Sequence, residues 1–360
     1  MNIVHIAWLG GHNFGDDLMA DMVWGELRKH DPDLHVTVWS HDKPFPREGM
    51  TWIYRNIPRI GFLRRIVEKR ALKKADMLLV GGGTVLHSMN SISWKYEAVK
   101  LFKQLHPDRA AIGVCLSAGP FKGKAEEDEC GKLFRLFDAL AVRDRPSYEF
   151  AKSQGLTYEP VEARDLSGAF LKDVGILPRE RITEIQRVGL MFNLPKAIDE
   201  ARLTEVYAGV LKRLVSDGKE VLVFGASCPP NNEDRRYIER LLAKSGVKER
   251  ITTIVYNHDP VAFTKKIREC DYIVSSRLHG LVLGYFLNIP VSFISYRKKF
   301  EDFADSVGIP KGKRFVEATA TTEELYRSVG VYPHKGIDEE VVRSYRNFEV
   351  LRPELWKVKA

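Results

Sequence analysis

Short apolar runs of strand length alternate along this chain with longer stretches whose apolar residues recur every three or four positions. Ile3 to Leu9 reads as a strand, followed by an amphipathic helix over Leu18 to Lys29 and a second strand over Leu34 to Trp39. Strands are then expected at Met77 to Val80 and Ala110 to Leu116, and an apolar stretch from Phe134 to Val142 precedes a helix over Tyr148 to Gln154. Lys172 to Glu184, with Gly175 and Pro178 among mixed charges, has linker chemistry. Beyond it the alternation resumes: strands at Val188 to Asn193, Glu220 to Gly225 and Ile251 to Val255, helices at Ala201 to Asp217, Asp234 to Ser245 and Pro260 to Glu269. A buried strand, Tyr272 to Val274, then feeds an apolar helix that Asn288 and Pro290 stop, and Val291 to Ile294 follows as the next strand. The stretch from Gly336 to Trp356 is helical and polar in pattern.

Strand–helix alternation on both sides of a linker predicts an α/β protein: two doubly wound, Rossmann-like domains facing a cleft. The expected boundaries are 1–174 and 185–335, with a helical tail over 336–360 that packs back on the first domain.

In such sheets, ligands gather where strands end and helices begin, because free backbone N–H groups and the helix dipole attract anions. The richest such turn is Ser275-Ser276-Arg277-Leu278-His279-Gly280. Arg277 offers a planar fork suited to carboxylate or phosphate, and His279 can move protons near neutral pH. The plain alternative makes Arg277 an ion-pair residue and His279 a capping residue. Other strand ends share the logic. Gly81-Gly82-Gly83-Thr84 predicts close backbone approach to a ligand. Gly10-Gly11-His12-Asn13-Phe14-Gly15-Asp16-Asp17 lacks the dinucleotide spacing, and its carboxylates would repel a pyrophosphate. Asp17 is read as a helix cap, whereas Asp16 is read equally as cap and as ligand-facing carboxylate. Arg143 leaves a strand ahead of a Pro-Ser helix start, while Arg145 reads as an ordinary surface charge. His12, His87 and His258 read as structural or polar-contact residues.

The 360 residues suit two α/β domains, and 44% apolar with 29% charged residues is a globular balance. The net charge of +8 fits acidic substrates or anionic lipid as well as nucleic acid. Cys115, Cys130, Cys228 and Cys270 are scattered without metal-ligand or disulfide spacing, so reduced, packed thiols are expected, with no metal. The amino terminus lacks signal-peptide pattern, and no apolar run is long enough to span a bilayer; a cytoplasmic protein is expected. Pro58 to Lys74 interleaves arginines and lysines with apolar residues at helical spacing. That pattern fits a solvated surface helix, and also peripheral contact with the inner face of a membrane.

Taken in order, Asn13-Phe14-Gly15-Asp16, Val80-Gly81-Gly82-Gly83-Thr84, Val142-Arg143-Asp144 with Ser147, Ser276-Arg277-Leu278-His279-Gly280, and Ile289-Pro290-Val291 leading to Ile294-Ser295-Tyr296 and Lys299 resemble the polysaccharide pyruvyl transferase family. The resemblance implies a GT-B-like transferase of exopolysaccharide biosynthesis. Such an enzyme moves the pyruvyl group of phosphoenolpyruvate onto two sugar hydroxyls as a ketal and releases phosphate. Its partners would be phosphoenolpyruvate, as co-substrate without a further cofactor, and a glycan or lipid-linked saccharide; no nucleic acid is expected. That chemistry needs an acid/base near neutral pH, for which His279 is the candidate, with Arg277, Arg143, Ser276, Leu278, Gly280 and Lys299 expected on the donor; amides, hydroxyls and carboxylates orient a neutral sugar, so Asn13, Asp16, Gly81, Gly82, Gly83 and Thr84 are expected on the acceptor. The sequence departs from the family pattern in two places: Leu116-Ser117-Ala118-Gly119-Pro120 replaces a glycine-glutamine turn, and Arg297 follows Tyr296 where aspartate is common. Two other readings of the residues stand beside it, a GT-B glycosyltransferase using a nucleotide sugar and a non-catalytic polyanion- or membrane-binding module.

Overall fold

The computed structural model describes residues 1–40, 45–54, 61–83, 85–192, 199–227 and 233–356. The chain divides into two compact units, one of residues 1–170 with 340–360 and the other of residues 171–339.

The first unit carries, in chain order, β1 (Asn2–Ile6), α1 (Phe14–His30), β2 (His35–Ser40), β3 (Met50–Tyr54), α2 (Gly61–Lys74), β4 (Met77–Gly81), β5 (Val85–Leu86), α3 (Met89–Leu105), β6 (Ala111–Ala118), α4 (Lys124–Arg135), β7 (Ala139–Val142), α5 (Arg145–Lys152), β8 (Val161–Glu162) and α6 (Ser167–Asp173). Its strands pair in parallel in the order β3-β2-β1-β4-β6-β7-β8, with β5 beside β6. Parallel strands buried on both faces need near-continuous apolar runs, and Met77 to Val80 is one, fully buried. On one face Val4, Ile6, Leu78 and Val80 pack with α3 and α4. The other face carries His5, whose Nδ1 accepts from Trp24 Nε1 of α1 at 3.0 Å. Chain order reverses between β1 and β4, so this sheet's crevice opens at their carboxyl ends.

The second unit carries β9 (Arg187–Met191), α7 (Glu200–Ser216), β10 (Glu220–Gly225), α8 (Glu233–Ser245), β11 (Ile251–Val255), α9 (Pro260–Arg268), β12 (Tyr272–Ser275), α10 (Leu278–Phe286), β13 (Val291–Ser295), α11 (Lys298–Ser306), β14 (Arg314–Val316), α12 (Thr322–Ser328) and the start of α13 (Ile337–Tyr345). These strands are also parallel, ordered β11-β10-β9-β12-β13-β14, and the reversal lies between β9 and β12. Val188, Leu190, Tyr272 and Val274 face the apolar sides of α7, α8 and α12. The opposite face meets α10, where Gly280 lies against Ser275 and Met191.

From Glu340 the chain belongs to the first unit. Glu340 pairs with buried Arg164, Asn347 Nδ2 donates to the Arg164 carbonyl at 2.6 Å, and Tyr345 Oη donates to the Ala169 carbonyl at 3.3 Å.

Several expected elements shift. Helix α1 begins at Phe14 because the Asn13 side chain accepts from Gly15 N at 3.0 Å and caps it there. Asp17 is therefore not the cap; it is buried, with Oδ1 3.4 Å from Arg47 Nη2. Phe134 and Arg135 close α4 rather than opening a strand, and β7 starts only at Ala139. Helix α3, with buried Ile92, Val99 and Phe102, is an element beyond those the apolar pattern predicts. In the Pro58 to Lys74 stretch, residues 58–60 lie outside the described part; α2 buries Leu72 and exposes Lys69, Arg70, Lys73 and Lys74. Cys115, Cys130 and Cys270 are free, buried thiols, and Cys228 lies outside the described residues. Among the described residues no helix is long and apolar enough to cross a membrane.

Candidate active site

The carboxyl end of β12 is held by its own serines. Ser275 Oγ accepts from Arg277 N at 3.0 Å and donates to the Arg277 carbonyl at 2.8 Å, so one hydroxyl holds both backbone groups of Arg277. Ser276 is buried, and its N–H donates to the Met191 carbonyl at 3.0 Å, tying the turn to the end of β9. Arg277 is the residue before the first turn of α10, with extended backbone, so its side chain leaves the helix axis. Leu278 and His279 form the start of α10 and are half-buried. A Cβ on Gly280 would fall 2.2 Å from Ser275 Oγ and 3.2 Å from Met191 Sδ; glycine is there because the helix presses against the strand.

The Arg277 guanidinium donates through Nη2 to Asp234 Oδ1, and Asp234 Oδ2 accepts from Ser227 N at 2.9 Å. Both side chains are largely shielded, 13% and 8% exposed. Arg277 Nε is buried with no hydrogen-bond partner. One edge of the fork is thus anchored to the start of α8, while the Nε–H is an unused donor at a helix amino terminus. That arrangement can take an anionic oxygen. Lys299 stands in the first turn of α11, after the neighbouring strand β13, and is half-buried.

Sequence reasoning missed two acidic residues of this sheet. Asp234 has the pattern of a helix starter, and only the fold brings it to Arg277. Glu317 directly follows β14 and is 3% exposed. Its N–H donates to the Ser295 carbonyl at 3.1 Å, its carbonyl accepts from Arg202 Nη2, and its Oε1 is buried without a partner. Burial pushes its carboxyl up to about 7, against the pull of Arg202. An acidic residue placed immediately after a strand was the available signal.

In the first unit the residues expected on the acceptor converge at the carboxyl ends of β1 and β4. Gly81, Gly82 and Gly83 all have positive φ, at 146°, 69° and 89°. A Cβ on Gly81 would fall 1.8 Å from the Val114 carbonyl oxygen, so this glycine answers to β6. One on Gly83 would come 3.1 Å from Asp16 Oδ1 and 2.9 Å from the Met19 thioether, so the turn lies directly over the start of α1. Beneath it His5 is fully buried; burial lowers its pKa to about 4 and keeps the ring neutral. Thr84 lies outside the described residues.

Arg143 is 7% exposed and already engaged within this unit. Its Nε donates to Ser117 Oγ at 2.8 Å and its Nη1 lies 3.3 Å from Asp165 Oδ2. Ser117 Oγ in turn donates to Asp144 Oδ2 at 2.6 Å, and Asp144 caps α5 through Ser147 N at 2.9 Å. Arg145, by contrast, is exposed and pairs with Glu149 and Glu162. Among the described residues no group of three or more His, Cys, Asp or Glu side chains is placed to hold a metal ion.

The family model described as polysaccharide pyruvyl transferase matches residues 13–298. Among solved structures, the UDP-GlcNAc 2-epimerase of Methanocaldococcus jannaschii aligns with TM-score 0.62 at 12% identity, covering 98% of this chain and 99% of that one. The UDP-GlcNAc 2-epimerase of Neisseria meningitidis, bound to UDP-GlcNAc, aligns with TM-score 0.60 at 12% identity, covering 98% of each chain. The lipopolysaccharide outer core galactosyltransferase WaaB aligns with TM-score 0.51 at 14% identity, covering 97% and 98%. At such identities the likeness is one of fold, and the fold is GT-B-like.

Proposed function

Because the chain belongs to the polysaccharide pyruvyl transferase family, we propose that it transfers the pyruvyl group of phosphoenolpyruvate to two hydroxyls of one sugar, in a polysaccharide or its lipid-linked precursor. The observation that carries this reading is the β12–α10 turn, where an anchored Arg277 with a buried, unused Nε–H stands two residues before His279. Phosphoenolpyruvate carries a carboxylate and a phosphate, so a guanidinium edge, helix N–H groups and Lys299 supply complementary donors.

The chemistry needs a group that both gives and takes protons. His279 protonates the methylene carbon, which becomes the methyl group and leaves C2 electron-deficient. A sugar hydroxyl oxygen bonds to C2 and gives up its proton to the imidazole. The C2–O bond to phosphate then breaks with the electron pair going to phosphate, and the second hydroxyl oxygen bonds to C2 and closes the ketal, its proton passing to the departing phosphate.

In this reading the second unit holds the donor and the first holds the acceptor. A sugar is oriented by amides, hydroxyls and carboxylates that take its hydroxyl hydrogens, and Asn13, Asp16 and the backbone of Gly81 to Gly83, with Thr84, have that chemistry. Arg143, engaged by Ser117 and Asp165, would serve as a fixed positive charge near Asp16.

The test is phosphate release from phosphoenolpyruvate against a panel of glycans and lipid-linked saccharides, with the product checked for a pyruvate ketal. Ketal formation with any saccharide supports the reading. Sugar transfer from a nucleotide sugar to the same panel, with phosphoenolpyruvate untouched, would replace it by glycosyl transfer.

A further inference from the structure

Helix α2 carries a disproportionate share of the chain's charge. Residues 61–74 hold six basic side chains and one acid, so more than half of the net charge of +8 sits on this one helix. Its inward side is settled by packing. α2 lies against β1, β3 and α3, with Leu72 buried and Glu68, one turn before it, half-buried. The single acid is therefore on the packed row. Arg65, Lys69, Arg70, Lys73 and Lys74 are exposed, and among the described residues no side-chain hydrogen bond, ion pair or ring contact engages any of the five. Exposed lysines of other helices are answered: Lys124 by Glu127 and Asp128, Lys132 by Glu129, Lys152 by Glu159 and Lys244 by Glu205. The acid that follows α2, Asp76, is itself met by Arg109 Nη1 at 3.7 Å.

Spacing turns these charges into a surface. Lys69 and Lys73 are four residues apart, as are Arg70 and Lys74, so the four form two adjacent rows along the helix. Like charges at that spacing repel, and no ion pair among the described residues offsets the repulsion. Lys73 and Lys74 gain from the dipole at the carboxyl end of α2, but Arg65, Lys69 and Arg70 lie before its last turn. Val67, three residues before Arg70, is 46% exposed and lies beside the second row. A partner suited to this face has many negative charges in a plane and an apolar layer shallow enough to take one valine. The surface of an anionic bilayer has both, and clusters of about four to eight basic residues are drawn to it. A nucleic acid calls for a groove that tracks its backbone or rings that stack on its bases, whereas the exposed described residues of α2 are cations and one valine.

We propose that the outer side of α2 docks the first unit on an anionic lipid bilayer, with Lys69, Arg70, Lys73 and Lys74 on the lipid phosphates and Val67 entering among them. The proposal goes beyond the pyruvyl-transfer reading and does not rest on it.

The test is co-sedimentation of the full chain with vesicles, without phosphoenolpyruvate or saccharide, so the outcome is independent of that reading. Vesicles of phosphatidylcholine with about 30% phosphatidylserine should carry the wild type down at about 0.1 M salt and release it at about 0.5 M, while pure phosphatidylcholine leaves it in solution. A basic residue near such a surface strengthens binding about fivefold. The combined variant Lys69→Gln, Arg70→Gln, Lys73→Gln and Lys74→Gln should therefore bind at least about 100-fold more weakly. Its thermal melt should match or exceed that of the wild type, because the four side chains are exposed and unpaired. A second combined variant, Lys124→Gln, Lys132→Gln, Lys152→Gln and Lys244→Gln, removes the same net charge and should bind within a few-fold of wild type. The proposal is overturned if the wild type ignores the anionic vesicles or binds the neutral ones equally well. It is also overturned if the α2 variant binds as tightly as the wild type, or if both variants lose equally, which would make the attraction one of net charge alone. Tighter binding to a single- or double-stranded oligonucleotide than to the vesicles, lost in the α2 variant, would overturn it in favour of nucleic acid.

Discussion

His279 has a backbone that the first turn of α10 fixes, while Arg277 has a side chain that one carboxylate fixes. The two residues should therefore fail differently. Replacing His279 by Ala removes the proton donor and acceptor and should lower kcat about 100- to 10,000-fold in a chain that melts normally; activity within a few-fold of wild type would remove it from the chemistry. Replacing Asp234 by Ala releases the Arg277 fork and leaves Ser227 N without its acceptor. The phosphoenolpyruvate KM should rise about tenfold or more, the usual worth of a charge-assisted hydrogen bond, with kcat much less affected. Asp234→Asn, which keeps an acceptor for Arg277, should fall between the two. Glu317 makes a separate statement about pH. Its folded pKa, about 7, lies above the ordinary carboxyl value of 4.5, so the folded state holds the proton more tightly. Its contribution to stability is whole below pH about 4.5 and is lost as pH rises toward 7. Glu317→Gln, neutral throughout, should flatten the fall in melting temperature between pH 5 and 7. An unchanged slope would show that the carboxyl is not the group responsible. At this scale the sequence is legible where chemistry is local: arginine and histidine after a short apolar run announce themselves. It cannot reveal Asp234, which lies 43 positions away along the chain and meets Arg277 only once β10 and β12 stand on either side of β9.

At the scale of elements, the glycines divide by what they touch. Gly280 belongs by sequence to the ligand-binding turn, yet its missing Cβ is filled by Ser275 and Met191, so it sets how closely α10 approaches β12. Gly280→Ala should cost about 1–3 kcal/mol in chemical denaturation, the range for overpacking a tight contact. A variant as stable as the wild type would mean that Ser275 turns aside without cost. Gly81 is confined by the β6 backbone, whereas Gly83 lies beside Asp16 and Met19, whose side chains line the mouth of the turn. Sequence pattern finds this turn because three consecutive glycines after an apolar run give up backbone entropy that an ordinary turn keeps. It does not find α3, whose stripe of Ile92, Val99 and Phe102 is diluted by lysines and aromatics. The pattern also merges the end of α4 with β7. Phe134 and Phe137 are both buried, and apolar character carries across the break between helix and strand without marking where one stops and the other starts. The α1 boundary differs for a chemical reason: Asn13 caps through its side chain, a role the acidic pattern assigns to Asp17, which the fold places against Arg47.

At the scale of the molecule, alternation of strand and helix is enough to give two parallel sheets, because each βαβ unit is a local and right-handed event. What alternation cannot report is which contacts hold a polar terminal segment in place. Here these are Glu340 meeting Arg164 and Asn347 meeting the Arg164 carbonyl, contacts that join residues more than 170 positions apart. The second unit is contiguous, residues 171–339, and the first is finished only by residues that follow it. On the ribosome this ordering has a direct consequence. The earlier-made unit waits with Arg164 uncompensated by Glu340 until the last segment emerges, while the later-made unit closes on itself first. A chain stopped after Glu339 should therefore keep a protease-resistant core from residues 171–339 and expose the first 170 to rapid cleavage; equal resistance of the two would show that the amino-terminal sheet matures without its final strap. Birth order along the chain and order of completion in space run in opposite directions, so any arrest of translation near the end would leave the half made earliest as the half at risk.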